Sequence, residues 1–300
     1  MGDAHASEAH RLLDLQVPPS EVDIAADFLW RHGAQAVEEW TNSDGEVCLS
    51  TDFGEDPLRT YETAVRNDPS MVGFARRWVA RVRCVDAAVA DTWRQFVGDI
   101  VIADVIVRPA WQSLESQPSM GDRLEVLIDP AGAFGMGDHP TTRGTLELAR
   151  SHVAASSVSR ILDLGCGSGI LSIALVKDSA RYATAVDIAR PAVEATLQNA
   201  AINKVADRVN VAHGDVHAVE GVFDLVLANI LAPVLLADAS EIVTRTTRGG
   251  SVILSGFTDT RRLDIIGAYE KLGCVLVEEH LVDGWWSLQM QRRHERLELE

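Results

Sequence analysis

Apolar and polar residues alternate along LLDLQV (residues 12–17) with the period of a half-buried strand, and Pro18-Pro19 stops the run. Ser20 is placed to cap a helix on which Val22, Ala25 and Leu29 recur at helical spacing, with Gly33 at its end. AQAVEEW and EVCLST read as two strands around the turn residues Asn42-Ser43-Asp44-Gly45. Asp56-Pro57 joins a cap to a proline at the first helical position and opens a second helix that runs to Asn67. RRWVARVRCV (residues 76–85) reads as the closing strand. The order β-α-β-β-α-β is the ferredoxin-like pattern, which assigns residues 1–85 to a small α+β binding module. That fold implies no chemistry by itself.

Residues 86–120 read as a connection leading into a second domain, with Trp93 and Trp111 as packing anchors, and RLEVLI follows as a strand. Over residues 121–300 the pattern changes. RILDLG, ATAVDI, RVNVAHGD, FDLVLANI and SVILSGF are short apolar runs, separated by stretches such as ILSIALV and PAVEATLQNAAI. Strands alternating with helices predict a parallel, doubly wound α/β sheet. CVLVEEHLV and WWSLQMQRR then form two strands around Asp283-Gly284 with no helix between them. A parallel sheet ending in a hairpin is the layout of the seven-stranded Rossmann-like class I methyltransferase domain.

Composition narrows the class. The chain has 300 residues, 47% of them hydrophobic, enough for a sizeable core. Its N-terminus lacks a basic and then apolar leader, and no run of about 18 apolar residues occurs, so a cytoplasmic protein without a membrane span is expected. The four cysteines are scattered, which suits reduced thiols. The net charge is −17, with 15 acids against 8 bases in residues 1–85 and 29 against 19 in the remainder. The first segment is the more densely acidic, a field that favours a basic partner and disfavours nucleic acid.

Two glycine clusters carry the candidate chemistry. In Asp163-Leu-Gly165-Cys-Gly167-Ser-Gly169 a strand gives way to a helix, and Asp187 ends the next strand, where a carboxylate can accept both hydroxyls of a ribose. The spacing is G-x-G-x-G, whereas a dinucleotide pyrophosphate calls for the longer G-x-G-x-x-G loop. S-adenosylmethionine has no phosphate, and its ammonium and sulfonium suit an acidic site. FDLVLANILA delivers Asn229 to the carboxyl edge of the sheet, where amide-nitrogen and adenine methyltransferases carry an Asn-Pro-Pro-Tyr type motif. An Asn carbonyl oxygen there can accept from an amine and aim its lone pair at a methyl group. Here Ile230-Leu231 replaces the prolines, which argues against a flipped base. The other cluster, AFGMGDHPTT (133–142), is compatible with a turn, a metal site, a His/Thr pair or part of the same pocket. Metal ligation is disfavoured because His139 has no His or Cys partner at ligand spacing.

AFGMGDHPTT, DLGCGSGIL, ANILA and LSGF together resemble the ribosomal protein L-11 methyltransferase family, PrmA, over nearly the whole chain. The resemblance implies an S-adenosylmethionine-dependent protein N-methyltransferase acting on lysine or α-amino groups of ribosomal protein L-11, which the N-terminal domain docks. It further implies that Phe134, Thr142, Gly165, Gly167, Asp187 and Asn229 contact the cofactor and that Asn229 is catalytic. Met136 and Asp138 depart from the family's threonines and bear on the choice of substrate. Two rival readings are a methyltransferase of another protein or small amine and a catalytically silent S-adenosylmethionine-binding module; a nicotinamide dehydrogenase is disfavoured by the glycine spacing.

Overall fold

A computed structural model of the chain describes residues 10–294, apart from 33, 35–36, 42–44, 54–55, 69–70, 86–97, 112–122 and 130–136. The backbone divides into two compact units, Met1–Val97 and Gly98–Glu300. In the first, β1 (His10–Val17), β2 (Glu38–Thr41), β3 (Val47–Asp52) and β4 (Val79–Val85) form one sheet in the order β2-β3-β1-β4. All neighbouring pairs are antiparallel. The alternation of β1 sends Leu13, Leu15 and Val17 to one face. There they join Phe28 and Leu29 of α1 (Val22–Arg31) and Tyr61 and Ala64 of α2 (Pro57–Asn67) in one core. Burying one such large apolar side chain is worth about 1.5–3 kcal/mol, so packing rather than intrinsic helicity holds these short helices.

The start of α2 matches the expectation, with Asp56 accepting from the Arg59 N–H ahead of Pro57. The start of α1 does not. A 3₁₀ turn over Pro19–Glu21 precedes the helix, set by Pro18 at φ −60° and by Pro19, so Ser20 lies inside a turn and not at the helix cap. The closing strand is shorter than expected. A one-turn helix, α3 (Val72–Ala75), comes first, and Glu21 accepts from Arg77 at 2.6 Å and from Trp78 Nε1 at 2.8 Å, holding both residues ahead of β4. Gly33, the turn residues Asn42-Ser43-Asp44 and Trp93 lie outside the described residues.

The second unit begins with β5 (Ile100–Ile102), β6 (Val105–Pro109) and β7 (Leu124–Ile128), a three-stranded sheet in that order. β5 and β6 occupy a stretch that reads as connection in the sequence. Their hairpin turns on Ala103-Asp104, with Ala103 at φ 51°, and neither glycine nor asparagine marks it.

The main sheet comprises β8 (Arg160–Leu164), β9 (Tyr182–Asp187), β10 (Val209–His213), β11 (Phe223–Asn229), β12 (Thr246–Thr258), β13 (Cys274–Val282) and β14 (Trp285–Arg292). Their order is β10-β9-β8-β11-β12-β14-β13. The first five run parallel, and β14 is antiparallel to β12 and β13. Successive residues serve opposite cores. Ile161, Leu225, Leu227 and Ile253 pack with α4 (Pro140–Ala155), α5 (Ile170–Asp178) and the small sheet. Leu162, Val226 and Leu254 pack with α7 (Ala232–Ala237), α8 (Ala239–Arg245) and α9 (Asp259–Lys271). Both faces are covered, which is why these strands read as continuous apolar runs. The terminal hairpin forms as expected, with Asp283 at φ 47° and Gly284 at φ 86°, both signs that a tight type I′-like turn needs. Among the described residues no helix is long and apolar enough to cross a membrane.

This order places β8 between β9, which leads outward to β10, and β11, which leads outward to β12. The carboxyl ends of β8, β9 and β11 therefore flank the switch point where open α/β sheets form a binding crevice.

Candidate functional site

β8 ends in the glycine loop, which is stitched to the next strand: Gly165 N and Cys166 N both donate to Val186 O, at 2.8 and 3.1 Å. Gly165 has φ 69°, and a Cβ there would lie 2.4 Å from Ile230 Cγ2, so loop and turn approach each other only because a side chain is missing. Asp163 is fully buried beneath the loop, where its Oδ2 accepts from Ser172 Oγ at 2.7 Å and Ser172 N at 3.2 Å. The second of these bonds satisfies one open N–H in the first turn of α5. Burial pushes the Asp163 carboxyl up to about 6; the Ser172 bonds oppose that rise and the charge of Asp187 adds to it. Asp163 Oδ1 has no hydrogen-bond partner among the described residues.

Asp187 closes β9 and reaches back to the loop. Its Oδ2 accepts from Gly167 N and its Oδ1 from Ala189 N, each at 2.9 Å. Desolvation raises its pKa against these two bonds. Each carboxylate oxygen keeps a further acceptor site beyond the one used. The next residue, Ile188, is 57% exposed and offers apolar surface beside that carboxylate.

Asn229 closes β11, half-buried, in register with Ser255 of β12. Ile230 N donates to Ser255 O at 3.1 Å. Gly256, at φ 101°, sits where β12 bulges between Ser255 and Phe257 relative to β14. A Cβ at Gly256 would fall 2.2 Å from Ile230 O. The Asn229-Ile230 turn is thus wedged between Gly165 on one side and Gly256 on the other. In the sequence the Leu-Ser-Gly strand end carries only the family resemblance.

The first glycine cluster leads into α4. His139 is the N-cap, its ring accepting from Thr141 N, and its Nδ1 lies 2.7 Å from Thr141 Oγ1. Desolvation lowers the pKa of His139, with Asp138 opposing, which favours the neutral ring an acceptor cap requires. The ring also packs edge-on against Trp285, with centroids 5.2 Å apart. Thr142, in the first turn, is 1% exposed, and its Oγ1 has no hydrogen-bond partner among the described residues. Two residues on, a Cβ at Gly144 would meet Ser287 Oγ at 2.6 Å, and Ser287 Oγ bonds Ser255 Oγ at 2.9 Å, beside the Asn229 turn. At the cluster's start, a Cβ at Gly137 would lie 3.0 Å from Ile170 Cδ1, immediately after the second glycine loop. The two glycine clusters therefore meet. Phe134 and Met136 lie outside the described residues, and Asp138 is exposed.

The structure brings Gly165, Gly167, Asp187 and Asn229 to one edge of the sheet, with the first turn of α4 beside them. The chemistry of this set is selective. It has two carboxylates, a buried hydroxyl with no hydrogen-bond partner among the described residues, and glycine backbone beside the N-terminus of α4. The carboxylates suit hydroxyl donors and cationic groups, and the N–H groups opening α4 suit an anionic one. S-adenosylmethionine meets that description. Sequence reading missed Thr196 and Asn199 of α6 (Arg190–Ile202), both fully buried against the loop. The signal was a polar stripe, Thr196-Asn199-Asn203, on an otherwise Ala-rich helix.

The family model described as Ribosomal protein L11 methyltransferase (PrmA) matches residues 69–293. A ribosomal protein L11 methyltransferase of Geobacter sulfurreducens is 36% identical over 295 residues, covering 92% of this chain and 96% of its own length. One from an Exiguobacterium species is 34% identical, covering 81% of this chain and 76% of its own. Among solved structures, the ribosomal protein L11 methylase from Lactobacillus delbrueckii subsp. bulgaricus is similar at a TM-score of 0.59 and 28% identity, over 66% of this chain and 100% of that one.

Proposed function

Because this chain belongs to the ribosomal protein L11 methyltransferase family, we propose that it transfers methyl groups from S-adenosylmethionine to ribosomal protein L11, on lysine side chains or the α-amine. S-adenosylmethionine, when bound, supplies a methyl group already activated by its sulfonium. The protein's tasks are then alignment and exclusion of water. The seven-stranded unit is read as the class I methyltransferase domain, and the β2-β3-β1-β4 unit as a ferredoxin-like domain that docks L11. The excess of acidic residues in that first segment suits a basic partner.

In this reading Gly165 and Gly167 give the cofactor close access to backbone, and Asp187 accepts from the ribose hydroxyls. Ile188 supplies apolar contact for the purine. The Thr142 hydroxyl and the N–H groups opening α4 hold the methionine carboxylate, and Phe134 lines the same pocket. Buried Asp163 lends negative potential under the cationic end. Asn229 Oδ1 accepts from the substrate amine and orients its lone pair. The amine must be neutral to attack, and desolvation beside a positive charge lowers its pKa toward that state. His139 is a cap whose ring nitrogen is already engaged with Thr141, so no general base is assigned to it.

The observation that carries this reading is the Asn229-Ile230 turn, wedged between Gly165 and Gly256 at the switch point of the sheet. Labelled S-adenosylmethionine and a panel of purified ribosomal proteins test it. Transfer to L11 above all others is expected. Transfer to another protein in its place, or cofactor binding with no transfer to any, would replace this reading with one of its rivals.

A further inference from the structure

Helix α6 starts just after Asp187 and ends beside β7, and two buried asparagines stand one turn apart, Asn199 in its last turn and Asn203 at its C-cap. Asn199 is 0% and Asn203 6% exposed. Each pairs with main chain as a neighbouring strand would, Asn203 at the open edge of β7 and Asn199 at the residue that follows it. Asn203 Oδ1 accepts from Leu127 N at 3.0 Å, and its Nδ2 donates to Leu127 O at 2.6 Å. Asn199 Oδ1 accepts from Asp129 N at 2.9 Å, and its Nδ2 donates to Asp129 O at 2.8 Å. The match is geometric: four residues of helix rise about 6 Å, close to the roughly 6.6 Å between strand residues i and i+2.

The two asparagines differ in one respect. Asn203 makes its remaining contacts within α6 and with Lys177, to Asn199 O at 2.8 Å and from Lys177 Nζ at 3.2 Å. Asn199 Nδ2 also donates to Ser168 O at 2.9 Å, inside the glycine loop. Beside it, Thr196 Oγ1 donates to Gly167 O at 2.9 Å. A single carboxamide therefore joins the strand that leads into the first glycine cluster to the backbone of the second.

We infer that Asn199 is a positioning residue that ties the Gly165–Gly169 loop to the end of β7 for the cofactor, while Asn203, similarly paired to β7, serves the fold alone. The inference rests on the cofactor site proposed above. Removing the Asn199 amide leaves the loop's own glycines in place and releases Ser168 O from the end of β7. Ligand affinity should suffer, and chemistry on bound ligand should suffer less.

The test titrates S-adenosylhomocysteine into wild type, Asn199→Ala and Asn203→Ala by calorimetry, with melting temperatures and steady-state kinetics alongside. Asn199→Ala is expected to raise the Kd by about tenfold, the loss of one to two net hydrogen bonds, and to raise KM for S-adenosylmethionine in step. Its kcat at saturation is expected to stay within about threefold of wild type, by the separation of binding from chemistry in such kinetics. Asn203→Ala is expected to lower the melting temperature comparably and to leave the Kd within about twofold, a change below half a kcal/mol. If Asn199→Ala does not fold, Asn199→Ser, which keeps one donor, is read in its place against the same control. An unchanged Kd in the Asn199 variant, or an equal rise in Asn203→Ala, overturns the inference. Failure of wild type to bind S-adenosylhomocysteine would instead overturn the cofactor reading, so the two failures are separable.

Discussion

Replacing Gly256 by alanine should disable catalysis while sparing cofactor affinity. The added Cβ would lie 2.2 Å from Ile230 O and 2.8 Å from Ile230 C, where real contacts do not fall below 3.0 Å. The neighbour is backbone, so no rotamer change relieves the clash, and the chains must separate by roughly 0.8 Å, a displacement of the size that costs about 10²-fold when it misaligns reacting groups. The glycine's φ of 101° adds strain for any L-residue, on the order of 1–3 kcal/mol. Ile230 N is bonded to Ser255 O, so the displaced segment is the one that carries Asn229. Asp187 and Gly167 are anchored elsewhere, to each other and to Ala189, and their grip on cofactor should hold. The assay pairs steady-state methyl transfer to L11 at saturation with calorimetric Kd values for S-adenosylhomocysteine, using circular dichroism to confirm folding. A kcat lower by roughly 10²-fold with a Kd within about fivefold is expected. A folded Gly256→Ala enzyme with kcat within threefold of wild type would refute the reasoning.

Asn229→Ala should lower kcat by about 10²-fold or more with little change in S-adenosylhomocysteine affinity, if its carboxamide aligns the amine; equal losses in both would assign it to binding alone. Thr142→Val should move two measurements in opposite directions. Its hydroxyl is buried with no hydrogen-bond partner among the described residues, so the isosteric change should stabilise the ligand-free protein by about 1 kcal/mol and weaken cofactor binding by roughly 10-fold or more. Unchanged affinity would remove Thr142 from the pocket. Asp163 gives a pH signature. Its folded pKa of about 6 lies above the ordinary 3.8, so the stability it contributes is fully present below about 3.8 and is lost as pH rises through 6. Urea titrations of wild type and Asp163→Asn should show wild type losing on the order of 3 kcal/mol relative to the variant between pH 4 and 7.5. A stability difference that stays flat with pH would place the carboxyl in a more solvated setting.

The α/β class and the glycine loop were legible because each leaves a local signal. Apolar runs report strands covered on both faces, and a G-x-G-x-G turn followed by an acidic strand end reports the loop geometry. The turn at Asp283-Gly284 was legible for the same reason, since two positive φ values need residues that tolerate them. The β5–β6 hairpin was hidden because it turns on Ala103-Asp104, which is none of the glycine-containing pairs that mark a two-residue hairpin turn. Ser20 misled because a capping residue after two prolines can equally sit inside a 3₁₀ turn.

What stayed illegible at the site is of one kind. Asn199 lies in an Ala-rich helix and Asn203 caps its end, and periodicity assigns such polar residues to solvent. They are buried because their partners are backbone groups 70 and 76 residues away in sequence. Gly256 looks like a strand-end glycine until Ile230, from the turn after β11, is found against it. In each case the residue type follows from a contact with main chain remote in sequence, and main-chain groups leave no trace in residue identity. A sequence therefore exhibits the groups that meet a ligand more readily than those that hold them in place. This asymmetry has a consequence at this site. Asn229, Asp187 and Thr142 can be read as motif letters, whereas their relative positions depend on Gly256, Asn199 and the Gly144–Ser287 contact. Substitutions at this second set should alter rate or affinity without removing any group that the cofactor or the amine is proposed to touch.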